Sequence, residues 1–344
     1  MRMRYVFLVS AVLGALAGYY ALWSHLQGQI EQGVQQFLNG QRALGRIAEV
    51  GVMRRGGFPY RLSLRLERLN LADPSGPTRW QLGAEDIVLH FQLWSFRHGI
   101  AEIPGRVTLG WRDGDGRQRV FSLRAEESGR ASLVIDSTDR WDRLAVDLRQ
   151  VTFGQDLEGY AAGQILFHAR RGSSLPATHD VALQVERLNL PVALDGPLGR
   201  DVAELRLIGR QSGPWLGDAP EAVLRNWRDA GGIVEFETVQ LKWGGLGISG
   251  DGTMALDRQF RLLGAMGSRI TGAATALDAL AAAGKVPAKD AAMAKSALQA
   301  LEKRDGGGPP YLPLPITAQD GRLMIASIPL LDLPSLMTWV RPAP

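Results

Sequence analysis

The sequence predicts a mostly β protein with some α. The expected core is a large curved antiparallel sheet, either an open groove or a sandwich, with an N-terminal transmembrane helix before it and a late alanine-rich helical hairpin. Three observations predict this class. An uncharged apolar run opens the chain, period-two alternation recurs from residue 60 to about 265, and 41 glycines supply turns between the alternating segments.

The apolar run extends from Tyr5 to Trp23 behind Arg2 and Arg4. A helix of that length crosses the hydrocarbon core of a bilayer. Basic residues lie before it and the first acidic residue, Glu31, well after it. The positive-inside rule therefore keeps the N-terminus cytoplasmic and exports the rest. Tyr19, Tyr20 and Trp23 fall where an interfacial aromatic belt sits. Residues 1–23 are thus read as a signal anchor. Ala15-Leu16-Ala17 also satisfies the small-x-small pattern of a cleavable signal, but the apolar run continues past it. Gly14 and Gly18 form a GxxxG, a face on which two such helices could pack as a dimer; glycine is also common in membrane helices generally. Over residues 24–46, Leu26, Ile30, Val34, Phe37, Leu38 and Leu44 recur at helical spacing. The segment reads as a membrane-proximal amphipathic helix weakened by Gly28, Gly33 and Gly40.

Residues 47–344 form the β-rich part. Tyr60, Leu62, Leu64 and Leu66 alternate with Arg61, Ser63, Arg65 and Glu67, giving one apolar and one polar face. Ile87, Leu89, Phe91 and Leu93 repeat the pattern, as do Leu144-Val146-Leu148, Val181-Leu183-Val185 and Val239-Leu241-Trp243. Asp113-Gly114-Asp115-Gly116 reads as a hairpin tip. Glu67-Arg68-Leu69-Asn70-Leu71 recurs as Glu186-Arg187-Leu188-Asn189-Leu190, and in both copies the alternation slips phase at the arginine, as at a β-bulge or strand end. Helices are expected at 220–230, 271–283 and 287–303, followed by a Gly-Pro linker at 306–310 and a last strand near 322–328.

Composition excludes several chemistries. With no cysteine there is no disulfide, thiolate nucleophile or cysteine zinc site. A net charge of +4 is too small for a nucleic-acid stripe. Gly245 to Gly250 matches GxGxxG, but turn and strand follow where a dinucleotide site needs a helix. The calcium-loop reading of Asp113 fails at Arg117 and Gln118, and the five histidines are scattered without a metal-binding spacing. No catalytic residue, cofactor or metal is expected, and the chain is not read as an enzyme.

Two stretches carry a family resemblance: Arg55-Gly56-Gly57-Phe58-Pro59-Tyr60-Arg61-Leu62, and Trp243-Gly244-Gly245-Leu246 through Gly250 to Asp257. With the helical hairpin and Asp320-Gly321-Arg322-Leu323 leading to Ile328-Pro329-Leu330, this order resembles the domain-of-unknown-function family 2125, single-anchor envelope proteins of Gram-negative bacteria. Gly57, Phe58 and Pro59 are its structural motif here; the motifs specify backbone shape and no catalytic group. The family is similar in plan to the AsmA-like proteins, anchored periplasmic β-sheets with an apolar concave face, whose larger members are implicated in phospholipid movement and outer-membrane homeostasis. The resemblance implies an inner-membrane, single-pass protein with its main domain in the periplasm. This chain is too short to bridge a periplasm, since each strand adds only about 4.8 Å of width.

A sheet with one apolar face must cover it. The few expected helices cover part; an uncovered groove beside a membrane suits acyl chains, whereas a closed core suits a structural or assembly factor without ligand. The expected partners are the membrane and a phospholipid or another acyl lipid, with no nucleic acid. Leu62, Leu64, Leu66, Leu89, Phe91 and Leu93 are the expected lipid-contacting side chains.

Overall fold

The computed structural model describes residues 2–75, 79–112, 118–155, 158–172, 178–217, 220–326 and 328–337; the hairpin tip expected at 113–116 lies outside them. One helix, α1 (Arg2–Ala43), opens the chain, so the anchor and the amphipathic segment are continuous. Its glycines do not break it, because the stripe Trp23, Ile30 and Leu38 is buried and packing outweighs propensity.

The strands follow as β1 (Ile47–Gly56), β2 (Leu62–Asp73), β3 (Trp80–Gln92), β4 (Ser95–Glu102), β5 (Val107–Arg112), β6 (Gln118–Ile135), β7 (Trp141–Gln155), β8 (Glu158–Arg171), β9 (Thr178–Asn189) and β10 (Asp201–Ser212). Then come α2 (Pro220–Asp229), β11 (Ile233–Trp243), β12 (Leu246–Leu256), β13 (Leu262–Thr271), α3 (Ala273–Ala282), α4 (Ala288–Leu301), β14 (Leu312–Gln319), β15 (Arg322–Ile325) and β16 (Ile328–Asp332). The single strand expected near 322–328 is therefore two, with a turn at Ala326, whose φ is +53°.

All 16 strands form one antiparallel sheet in chain order, with β4 and β5 sharing a lane between β3 and β6. The order begins at β1 and ends at β16, and these two strands do not pair with each other, so the sheet is open. The accessible surface is 20898 Å², against about 13,700 Å² for a compact chain of this mass. Three separate apolar clusters replace one core, and the strands in each are close neighbours in the sheet. Of the two expected forms, a groove-type open sheet or a closed sandwich, the molecule takes the open one.

A crease crosses the strands. Arg68 on β2, Gln150 on β7 and Arg187 on β9 have φ of +56°, +49° and +51°. The ladder also shifts register between Ala125 and Ser128 on β6 and between Val202 and Glu204 on β10. A left-handed residue inside a strand breaks the alternation, so side chains three apart fall on one side. Leu148 and Val151 accordingly share a cluster across Gln150. The expected phase slip is therefore real in both Glu-Arg-Leu-Asn-Leu copies. In each, the arginine crosses a glycine on the preceding strand: a Cβ at Gly51 or Gly163 would lie 2.6 or 2.3 Å from the guanidinium of Arg68 or Arg187. The crease lets the apolar residues stay on one side while the sheet bends.

Candidate functional site

The site is built from α1, the strands it covers and the strands it leaves bare. Tyr19 Oη donates to the Pro59 carbonyl, Trp23 Nε1 to that of Arg61 at 3.0 Å, and Gln27 Nε2 to that of Ser63 at 2.9 Å. The spacing follows from geometry: four helical residues rise about 6.0 Å and two strand residues about 6.6 Å, so one helical turn matches one strand repeat. Helix and strand are thereby stitched side by side. Gly57, with φ of +92°, and the cis Phe58-Pro59 bond make the turn that brings Phe58 against the helix. Its ring lies 5.4 Å from Trp23, 5.6 Å from Tyr20 and 6.0 Å from Tyr19.

Beneath α1, Leu62 and Leu64 are 0% exposed and Leu66 5%, clustered with Trp23 and Ile30. These three leucines, expected at a lipid contact, are covered by the helix and belong to the core. Leu89, Phe91 and Leu93 flank that cluster and are half-buried. Leu89 and Phe91 also line an apolar hollow of about 290 Å³ with Phe96, Ala131, Leu133 and Leu144. Gly14 and Gly18 are exposed on the helix with nothing within 4 Å of where a Cβ would sit.

Cross-strand partners share a face. From Leu64 one row runs through Leu89, Ala101, Ala131, Val146, Phe167, Leu183 and Leu207 to Val239 without a polar residue. Every member after Leu64 is half-buried, and Leu133 in the next row of that face is 40% exposed. At the far end α2 and the C-terminal segment cover the face again, through Trp227, Leu256, Phe260 and Met337. The adjacent row, on the opposite face, is largely polar: Arg65, Val88, Glu102, Arg130, Asp147, Leu166, Gln184, Arg206 and Gln240.

A wider hollow of about 820 Å³ lies on that polar face, lined by His98, Arg143, His168, Arg170, Asp180 and Arg210. Asp180 bridges Arg170 at 3.0 Å and Arg210 at 3.1 Å. Burial pushes its carboxyl up, but the bonds from the two guanidiniums outweigh that and hold it below its ordinary value. A carboxylate so held stays ionised and is unsuited to deliver a proton.

Ser63, His90 and Glu102 form a constellation that sequence spacing did not reveal. Ser63 Oγ lies 2.8 Å from His90 Nδ1, and His90 Nε2 lies 3.2 Å from Glu102 Oε2. The composition is that of a hydrolytic triad. Yet Ser63 is 7% exposed, a Cβ at Gly57 would meet its Oγ at 2.8 Å, and it lines none of the described hollows. The network reads as a buried polar tie between β2, β3 and β4. Among the described residues no group of three or more metal-ligating side chains converges, and the GxGxxG glycines run into β12, a strand.

The fold and this face define a class: a single open antiparallel sheet, one face apolar, attached to one helix long and apolar enough to cross a membrane. The chain belongs to the bacterial family described as "Uncharacterized protein conserved in bacteria (DUF2125)", whose model matches residues 23–334. No curated protein and no solved structure matches it.

Proposed function

We propose that this protein binds or shields lipid acyl chains along the bare part of its apolar face and thereby serves lipid homeostasis or transport in the cell envelope. One observation carries the reading: the unbroken apolar row from Ala101 to Val239 lies between two helical covers, and no helix among the described residues covers it. At most about a third of each side chain's burial energy, up to about 0.5–1 kcal/mol for a leucine-sized residue, remains to be gained there by an apolar ligand. A helix long and apolar enough to cross a membrane supports a position of that face beside a bilayer, the source of such ligands. The positive charges before the apolar run support an inner-membrane protein with its sheet in the periplasm. The AsmA-like plan that the sequence resemblance implies supports the same reading. Phospholipid or another acyl lipid is the proposed partner, no nucleic acid is, and no catalytic role is assigned.

The test is photo-crosslinking in intact membranes, with benzoylphenylalanine replacing Leu133 on the apolar face or Gln184 on the polar one. Lipid adducts at position 133 and none at 184 are expected. Equal labelling at both positions, or none at 133, ends the proposal.

A further inference from the structure

Outside α1, six aromatic side chains among the described residues are more than a third exposed: Phe58 49%, Tyr60 85%, Trp94 76%, Phe96 40%, Trp141 38% and Trp215 61%. All six lie at the same end of their strands. Phe58 and Tyr60 sit in the β1–β2 turn, Trp94 and Phe96 at the β3–β4 turn, Trp141 at the start of β7 and Trp215 just after β10. At the opposite end, Trp80, Trp111 and Trp243 are half-buried. The solvent end of a soluble sheet has no reason to collect exposed rings, whereas tryptophan and tyrosine favour the headgroup layer of a bilayer.

Register fixes the level of these rings relative to the anchor. Leu62 pairs with Phe91, so Tyr60 stands level with Leu93. Phe91 pairs with Gly99 and His98 with Val134; past these pairs the register shifts, Gln92 pairing with Ser95 and Ile135 with Trp141, so the β3–β4 turn and the start of β7 end within about two residues of that level. Tyr60 itself neighbours Pro59 and Arg61, whose carbonyls accept from Tyr19 and Trp23. The turns carrying Phe58, Tyr60, Trp94, Phe96 and Trp141 therefore stand at the height of the helix's aromatic belt. Strand twist of about 20° per strand turns later hairpins, Trp215 among them, away from that plane.

We infer that these first three turns form a second membrane contact, a rim seated in the headgroup layer of the bilayer that α1 crosses. The contact is continuous with the belt of Tyr19, Tyr20 and Trp23 through the Phe58 ring. Phe96 belongs both to the rim and to the apolar hollow, so the rim sets the mouth of that hollow at the lipid surface. This last consequence rests on the proposed acyl-chain function; the rim contact itself does not.

The chain has no cysteine, so single-cysteine labelling of the full-length protein is clean. Nitroxide is attached at Trp94→Cys and at Leu44→Cys, and the protein is reconstituted into vesicles of phosphatidylethanolamine and phosphatidylglycerol. Leu44 is 68% exposed and lies 21 helical or near-helical residues beyond Trp23, about 32 Å along the axis. Collision with an aqueous nickel chelate is expected to be several-fold lower at position 94 than at 44, and collision with oxygen higher. Equal nickel access at the two positions overturns the rim. Unchanged circular dichroism of both variants shows that neither result comes from unfolding. Lipid crosslinking at position 133, scored separately, distinguishes loss of the rim from loss of the acyl-chain reading.

Discussion

Replacing Leu133 by Asp separates a ligand-binding face from a core. Full burial of a leucine is worth about 1.5–3 kcal/mol. At 40% exposure, Leu133 realises about three-fifths of that, so its removal should lower stability by about 1–2 kcal/mol, and the new carboxylate can reach water. Leu64 is 0% exposed beneath α1, where Leu→Ala alone costs about 2–5 kcal/mol and a charge costs more. Leu64→Asp should therefore unfold the sheet or detach the helix, while Leu133→Asp should fold and lose acyl-lipid adducts at a neighbouring reporter such as Leu144. The assay is urea denaturation of the detergent-purified protein, followed by circular dichroism, alongside crosslinking in membranes. If Leu133→Asp proves as destabilising as Leu64→Asp, the face is closed and the reasoning from exposure fails.

Further outcomes follow from individual contacts. Gln27→Ala should cost about 1–3 kcal/mol, because it strands the buried Ser63 carbonyl; a melting temperature equal to that of the parent would show the helix ladder to be inert. At the crease, Arg187→Gly should raise stability by about 0.5–1 kcal/mol and Arg187→Val lower it by about 1–2, since only glycine tolerates φ of +51° without strain. A neutral valine in the same denaturation assay would contradict the left-handed assignment. Asp257 accepts from the Gln259 and Arg261 amides at 2.8 and 2.9 Å and from Arg261 Nε at 2.7 Å. Burial raises its carboxyl, yet these bonds prevail and hold it below the ordinary range. Its contribution is thus full above the unfolded pKa of about 3.9 and lost as pH falls through the lower folded value. Asp257→Asn should flatten the acid limb of stability against pH, and an unchanged limb would place that dependence elsewhere.

The amphipathic character of the sheet was legible because a strand's two faces are written in adjacent residues. Leu62, Leu64 and Leu66 against Ser63, Arg65 and Glu67 need no partner to be read. The crease was legible for the same reason: Arg68 and Arg187 interrupt the alternation at matching points of a repeated five-residue string, and both occupy the left-handed region. Helix α1 was legible as an apolar run continued by an amphipathic stretch, but not whether that stretch stood off as a stalk or packed on the sheet, since Gly28, Gly33 and Gly40 weaken local propensity and only the sheet beneath supplies the compensating contacts.

Long-range pairing decided the rest. Nothing near Leu64 in the chain says that Trp23 and Ile30 will cover it, whereas Leu133 will stay 40% exposed; an apolar side chain on a strand has the same local pattern in either place. Likewise Ser63, His90 and Glu102 are 27 and 12 residues apart and meet only through the ladder. The aromatic rim depends on strand register, because Tyr60, Trp94 and Trp141 come to one level only after β2, β3, β4, β6 and β7 are paired. By itself, then, the sequence determined the long apolar N-terminal helix, the strand character and the presence of one apolar face, all set by neighbours a few residues apart. Which stretch of that face is covered, and which edge meets the membrane, was decided by tertiary structure, because burial and level are properties of residues brought together across the sheet.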